Sequence, residues 1–340
     1  MRTSGGSAIL TGMKTEVETH KAPGRSHRQG IDLIELMDRF ASDDAARVWF
    51  ESIIWPDGRR CGHCDSANTI VAKHRSMPYR CRDCSNYFSV KTGTAIESSK
   101  IGLRKWAIAI YLELTSLKGV SSMKLHRDLG VTQKTAWYML MRIRESFAVL
   151  ADAVAMEGPV EVDETYVGGR AKNMHAKVRR AKITGRGSVD KTAVVGARDR
   201  ATGKVAAAVV DSTDGETLRG FVAGHAADGA MVYTDDAKAY RGLPLHESVS
   251  HSTGEYVRGD VHTNGIESLW STLKRAHKGV YHRLSAKHLQ RYVDSFAAKR
   301  NIRDADTIDQ MAAVVASMFG RDITYDKLTA GPQGVAVEPW

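Results

Sequence analysis

Apolar residues recur at spacings of three and four from Ile31 to Trp55, IDLIELMDRFASDDAARVWFESIIW, which predicts a helix or helical pair ended by Pro56-Asp57-Gly58. The same period returns from Leu103 to Leu117 and again over residues 121–146, SSMKLHRDLGVTQKTAWYMLMRIRES. In that last stretch a short amphipathic helix from Met123 to Leu129, a turn at Gly130, Thr132 as N-cap and a second helix predict a helix-turn-helix. Such a pair offers its second helix, here with Lys134, Arg142 and Arg144, to a major groove, although a plain helical hairpin has the same pattern. After Ala155 the periodicity changes: Pro159 to Val167 alternates, and β-rich runs follow. Pro159 to Val167, Thr192 to Asp199 and Lys204 to Asp211 read as strands, Gly215 to Ala226 as a helix, and Ala230 to Thr234 as another short strand. This order predicts an α/β layer rather than a bundle. A helix from Thr307 to Phe319 and a polar tail complete the chain, either packed on the sheet or joined to a partner.

One stretch, HTNGIESLWSTLKR at 262–275, mixes apolar and polar residues until it is placed on a helical wheel. Ile266, Leu269, Trp270 and Leu273 then fall within a sector of about 100°, and Asn264, Glu267, Ser271 and Lys274 within another of about 80°. The tryptophan belongs to a buried stripe. The opposite stripe presents an amide, a carboxylate, a hydroxyl and an ammonium in order.

The 340 residues suffice for two or three domains, and a formal charge of +10 favours a polyanionic partner, nucleic acid before an acidic membrane surface. No apolar run approaches the roughly 20 residues of a membrane span, so a soluble, cytoplasmic protein is expected. Residues 1–30 read as a flexible tail without a secretory apolar region. Residues 170–191 carry eight Lys or Arg against one Asp and read as an exposed loop that meets phosphate; Lys177, Arg179, Arg180, Lys182 and Arg186 lie in it. All four cysteines lie in two knuckles, Cys61-Gly-His-Cys64 and Cys81-Arg-Asp-Cys84, with sixteen residues between them. Two tight turns at this spacing present four thiolates tetrahedrally to one structural Zn2+, a stronger reading than reduced structural cysteines or a redox pair. The intervening Lys73, His74, Arg75, Tyr79, Arg80 and Arg82 either touch phosphates or form a solvated face.

Asp163 stands in the alternating strand VEVDETYVGG, and Asp235 at the end of the apolar strand in MVYTDDAKAY. Phosphodiester chemistry with two divalent ions requires acidic ligands converging from separate elements, and strand ends in α/β sheets are where ligands gather. Alternation points the neighbouring Glu164 and Asp236 to the opposite faces. Turn chemistry or capping would explain either aspartate alone.

Taken together and in this order, the double CxxC, VEVDETYVGG, GRGSVDKTAVVGARDR, VYTDDAKAY and the run from His251 to Val293 resemble bacterial insertion-sequence transposases, over roughly residues 35–305. Those proteins place a zinc ribbon before a ribonuclease-H-like DDE domain. The resemblance implies a mixed sheet with flanking helices, and a division into a helical segment (31–57), zinc ribbon (58–100), helix-turn-helix (101–150), catalytic domain (155–305) and C-terminal helix with tail (306–340). It implies two catalytic Mg2+ ions held by Asp163, Asp235 and a third residue, with Lys274 beyond it on phosphate. Members of the family differ at that third position, which leaves Glu267 and Asn264 as candidates; a carboxylate holds magnesium better than an amide does. The implied partner is double-stranded DNA, as transposon ends and as target, bound by a homo-oligomer at the nucleoid, with Arg275 among the phosphate contacts. Two rival readings are a zinc-ribbon regulator with an inactive catalytic domain and a nuclease that cuts without joining.

Overall fold

The computed structural model describes residues 29–152, 155–169, 173–183, 190–235, 238–249, 261–321 and 323–329. Two short helices open it. α1 (Leu33–Arg39) starts where the Asp32 carboxylate accepts from the N–H groups of Ile34 and Glu35, and α2 (Asp43–Ile54) where Ser42 accepts from that of Ala45. The ribbon follows as an antiparallel sheet of β1 (Thr69–Val71), β2 (Tyr79–Cys81) and β3 (Tyr87–Phe88). It docks on the end of α2 through Trp55, whose ring stands edge-on to Tyr79 at 5.7 Å and to Phe88 at 6.0 Å.

α3 (Leu103–Thr115), α4 (Ser122–Leu129) and α5 (Gln133–Ala151) come next. Gly130 ends α4 in the left-handed region at φ 59°, and the Thr132 hydroxyl caps α5 by accepting from the Thr135 N–H, so the expected turn forms. Two of the basic residues assigned to DNA do not face solvent, however. Arg142 donates to the Glu97 carbonyl and the Tyr138 hydroxyl, both at 2.9 Å, and Arg144 is 1% exposed and paired with Glu113. α5 is packed on several sides, against α3, α4, α9 (Ala286–Asn301) and α10 (Thr307–Ala316), while its first turn, with the exposed Lys134, faces outward.

The second half is a five-stranded mixed sheet of ribonuclease-H-like form. Its strands are β4 (Val160–Val167), β5 (Thr192–Asp199), β6 (Val205–Val210), β7 (Val232–Asp235) and β8 (His246–Val249), in the order β6-β5-β4-β7-β8. β4, β5 and β6 pair antiparallel, while β7 and β8 add on parallel to β4. α7 (Gly215–His225) covers one face, with Leu218 and Val222 against Val160, Val162 and Val195. α8 (Asn264–Ala276) and α9 cover the other, with Ile266, Trp270, Val293 and Phe296 against Val167 and Val194. Between β4 and β5, part of the basic segment forms a helix, α6 (Ala176–Lys182), rather than the expected loop, because AKVRRAK is built largely of good helix formers. α9, unassigned from sequence, also closes the outer edge of the sheet: Asn301 exchanges bonds of 2.8 and 2.9 Å with the Val205 backbone, and Gln290 accepts from the Val209 N–H at 2.7 Å. α10 packs on α2, α3 and α5 rather than on the sheet.

The two halves share one buried ion cluster. The Glu113 carboxylate, from α3, accepts from Ser295 at 3.0 Å and from the Val120 N–H at 3.0 Å, with Arg144 at 3.5 Å and Lys299 at 3.7 Å. Burial alone would raise this carboxyl, but the two cations hold it below its ordinary range. Removing one member of such a cluster strands buried charge. Glu113→Ala is therefore expected to lose about 3–5 kcal/mol in denaturant unfolding; a loss below about 1 kcal/mol would show that Arg144 and Lys299 find other partners.

Candidate active site

β4 sends alternate side chains to opposite faces, so Glu161 and Asp163 face α8 while Val160, Val162 and Glu164 face the α7 side. β7 lies parallel beside it. Their ladder pairs Val160 with Val232 and Glu161 with Tyr233 and runs no further among the described residues. Just past that point stand Asp163 and Asp235. One carboxylate oxygen each from Asp163, Asp235 and Glu164 lies within 4.8 Å of the others. Glu164 does point to the opposite face, as alternation requires, yet its longer side chain returns to the same point. Asp236 lies outside the described residues.

Burial first, then the charges of Glu164 and Asp235, push the Asp163 carboxyl up to about 7, with Glu267 adding to the effect. Glu164 is likewise pushed up to about 7, by burial and then by Asp235. Among the described residues neither pairs with a cation. Hard oxygen donors crowded together in this way suit a divalent cation such as Mg2+.

α8 brings the third candidate position. Trp270 is buried on its inner stripe and lies over Gly196, where a Cβ would come 2.6 Å from the indole. Gly196 is the cross-strand partner of Asp163, so this close approach of helix to sheet occurs beside the acidic cluster. Glu267 is half-buried, accepts from the Thr263 hydroxyl at 3.0 Å and stands outside the 4.8 Å cluster; Asn264 is exposed one turn earlier. Lys274 and Arg275 are exposed farther along, as are Lys177, Arg179 and Arg180 on α6. The Lys182 side chain and Arg186 lie outside the described residues.

Two residues of the site escaped the sequence reading. Glu161 is fully buried, accepts from Arg200 at 2.8 Å, from Arg198 at 3.2 Å and from the Ile266 N–H at 3.0 Å, and so ties β4 to the first turn of α8. Its signal was present: it sits two before Asp163 and opposite Arg198 across the ladder. Tyr240, in the 3-10 turn Lys238–Tyr240, is fully buried beside Glu164, and burial followed by the charges of Glu164 and Asp163 raises its phenol, which stays protonated.

In the ribbon the four cysteine sulfurs also gather within 4.8 Å, with Cys61 to Cys84 at 3.7 Å and Cys64 to Cys81 at 3.6 Å. A tetrahedron with Zn–S bonds of about 2.3 Å has edges of about 3.8 Å, so the four sulfurs fit zinc closely.

With this geometry in place, residues 155–301 match the ISXO2-like transposase domain family and residues 41–86 the transposase zinc-ribbon domain family. A relative from Halobacterium salinarum, described as an uncharacterized protein in transposable element ISH50, is 32% identical over 279 residues, covering 77% of this chain and 92% of the relative. The ribbon match takes in all of α2, whose Glu51 accepts from the Tyr79 hydroxyl at 2.6 Å, so helix and ribbon are one unit.

Two outcomes follow. Elemental analysis is expected to find one zinc per chain, lost in Cys81→Ser; zinc-free wild-type protein with an intact ribbon would refute the assignment. Asp163 and Glu164 bind protons more tightly folded than unfolded, so the stability they supply is present at low pH and falls as pH rises toward about 7. Without added divalent ions, Asp163→Asn should melt about 2–4 °C above wild type near pH 8, and by less near pH 5. The same gap at both pH values would mean that ionisation of the cluster does not burden the fold.

Proposed function

Because the chain belongs to the ISXO2-like transposases, we propose that it binds the terminal inverted repeats of its insertion sequence and cuts and joins DNA at the acidic cluster. The observation that carries this reading is the meeting of Asp163 and Asp235, from parallel strands, at one point beside α8. Asp163, Asp235 and Glu267 hold two Mg2+ ions, with Asn264 the alternative third ligand. Bound there, the ions supply Lewis-acid activation of a water or a 3′ hydroxyl and neutralise charge building on the phosphate.

The chain's own groups orient the DNA. Lys274 and Arg275 on the outer face of α8, and Lys177, Arg179 and Arg180 on α6, neutralise backbone phosphates. Binding should accordingly weaken steeply with salt. Lys134, at the exposed start of α5, lies where the second helix of a helix-turn-helix enters the major groove. Cleavage places a water oxygen on phosphorus as the bond to the 3′ oxygen breaks. In joining, the freed 3′ hydroxyl oxygen forms the new bond to a target phosphorus while the target's own 3′ oxygen leaves. One phosphodiester replaces another, so no energy source and no covalent protein intermediate are required. Joining two ends to one target calls for a homo-oligomer on DNA, acting at the nucleoid.

Asp163→Ala and Asp235→Ala are each expected to abolish Mg2+-dependent cleavage and strand transfer while leaving binding of the terminal repeat within about twofold. Wild-type strand transfer by either variant would overturn the assignment. Repeat binding by the unmutated protein without any metal-dependent cleavage would favour a DNA-binding regulator, and cleavage without joining a nuclease. Glu267→Gln should lower activity by more than about 100-fold and Asn264→Ala by less; the reverse order would move the third role to Asn264.

A further inference from the structure

Glu164 is the carboxylate at the site to which neither the strand pattern nor the resemblance gives a task. It belongs to the opposite face of β4 from Asp163, yet offers an oxygen within 4.8 Å of Asp163 and Asp235. The ladder between β4 and β7 ends at Glu161 and Tyr233, so a side chain from either face can enter between the strand ends beyond it.

A second observation points into the same space. Tyr240 is fully buried, and its hydroxyl makes no hydrogen bond to any described residue. The groups that act on it electrostatically are Glu164 foremost, then Asp163 and Asp235. The phenol therefore lies against the Glu164 carboxylate, close enough to interact with it but short of a well-formed hydrogen bond. Buried hydroxyls are nearly always satisfied. A donor held against a carboxylate without a well-formed bond to it suits a carboxylate that turns when it takes up a cation.

We propose that Glu164 is a further ligand of the divalent centre, joining Asp163 and Asp235, and that Tyr240 is a positioning residue that donates to the Glu164 oxygen left free by ligation. The proposal rests on the reading of the cluster as a magnesium-dependent site. Divalent ions of this kind seek six or more oxygens, and a pair of them has use for more carboxylates than the three-residue motif provides.

The test is Mn2+ binding to the full-length, zinc-loaded protein without DNA, followed by the loss of the free-ion electron paramagnetic resonance signal. Asp163→Asn and Glu164→Gln are each expected to weaken binding by at least about tenfold, with Glu164→Asp recovering part of the loss. Tyr240→Phe should weaken it by about threefold without lowering the melting temperature, since the hydroxyl removed makes no well-formed hydrogen bond in the bare fold. Wild-type affinity in Glu164→Gln beside a loss in Asp163→Asn would overturn the role of Glu164 and leave the metal-centre reading standing. Wild-type affinity in Tyr240→Phe would remove Tyr240 from the proposal. Absence of Mn2+ binding by the unmutated protein, or full binding by Asp163→Asn, would sink the metal-centre reading itself and this proposal with it. Should Glu164→Gln fail to fold, as judged by circular dichroism and zinc content, Glu164→Asp decides: affinity unchanged from wild type counts against the proposal, and weaker binding by a folded variant supports it.

Discussion

The bond from the Ile266 N–H to the Glu161 carboxylate fixes where α8 sits, and the candidate site depends on where α8 sits. The first N–H groups of a helix have no acceptor within it, and here a buried side chain from the neighbouring strand supplies one. Glu161 could not be buried alone; Arg198 and Arg200 meet it, and Arg200 reaches on to the His262 carbonyl at 2.6 Å. Glu161 and Asp163 are two residues apart on β4, and Ile266 and Glu267 are adjacent on α8. One hydrogen bond therefore sets how Glu267 stands relative to Asp163. Trp270 over Gly196 holds the next turn down, and any side chain at 196 would lift the helix away from the cluster.

The two halves of the molecule handle buried carboxylates in opposite ways. Glu113 and Glu161 are each surrounded by cations and hydrogen-bond donors, and Glu113 is held below its ordinary range despite full burial. Asp163 and Glu164 are pushed up to about 7 by burial and by other carboxylates, with no cation beside them among the described residues. A chain with formal charge +10 does not lack cations to place there. Exposed Lys and Arg stand elsewhere instead, among them those on α6 and along the outer stripe of α8, where they face solvent. Crowding of this kind is unfavourable in the bare fold and favourable toward a divalent ion, the pattern of a functional rather than a structural site.

Much of this was legible because periodicity reports burial directly. The wheel of residues 262–275 separated Trp270 from Glu267 correctly, and the alternating run of β4 and the β-rich runs of β5 and β6 were located to within about two residues. β8 escaped because HESV has no alternation and gains its place by pairing with β7. Arg142 and Arg144 misled because a charged residue on an amphipathic helix reads as surface. Only tertiary structure reveals that α5 is enclosed and that Glu113, thirty-one residues from Arg144 in sequence, waits in the core. Glu164 misled for a different reason: alternation fixes the face from which a side chain departs, but not where a long one ends when the neighbouring ladder stops.

The far end of α8 is held as firmly as its start. The π-helical turn His277–Tyr281 follows the helix directly, and the Tyr281 hydroxyl accepts from Arg144 at 3.3 Å within the Glu113 cluster. Gly119, between α3 and α4, has φ 73° and leaves room for that hydroxyl, against which a Cβ would collide. The segment that opens the helix-turn-helix thus touches the residue that ends the turn after α8. α8 is held by a buried carboxylate at each end, Glu161 from the sheet and, through Arg144, Glu113 from the helical half. Packing of this density does not deform continuously. The helix pair α4 and α5 and the helix that carries Glu267 are therefore tied together through one buried cluster, and a duplex seated on that pair, as proposed, would have its path toward the acidic cluster set by this connection.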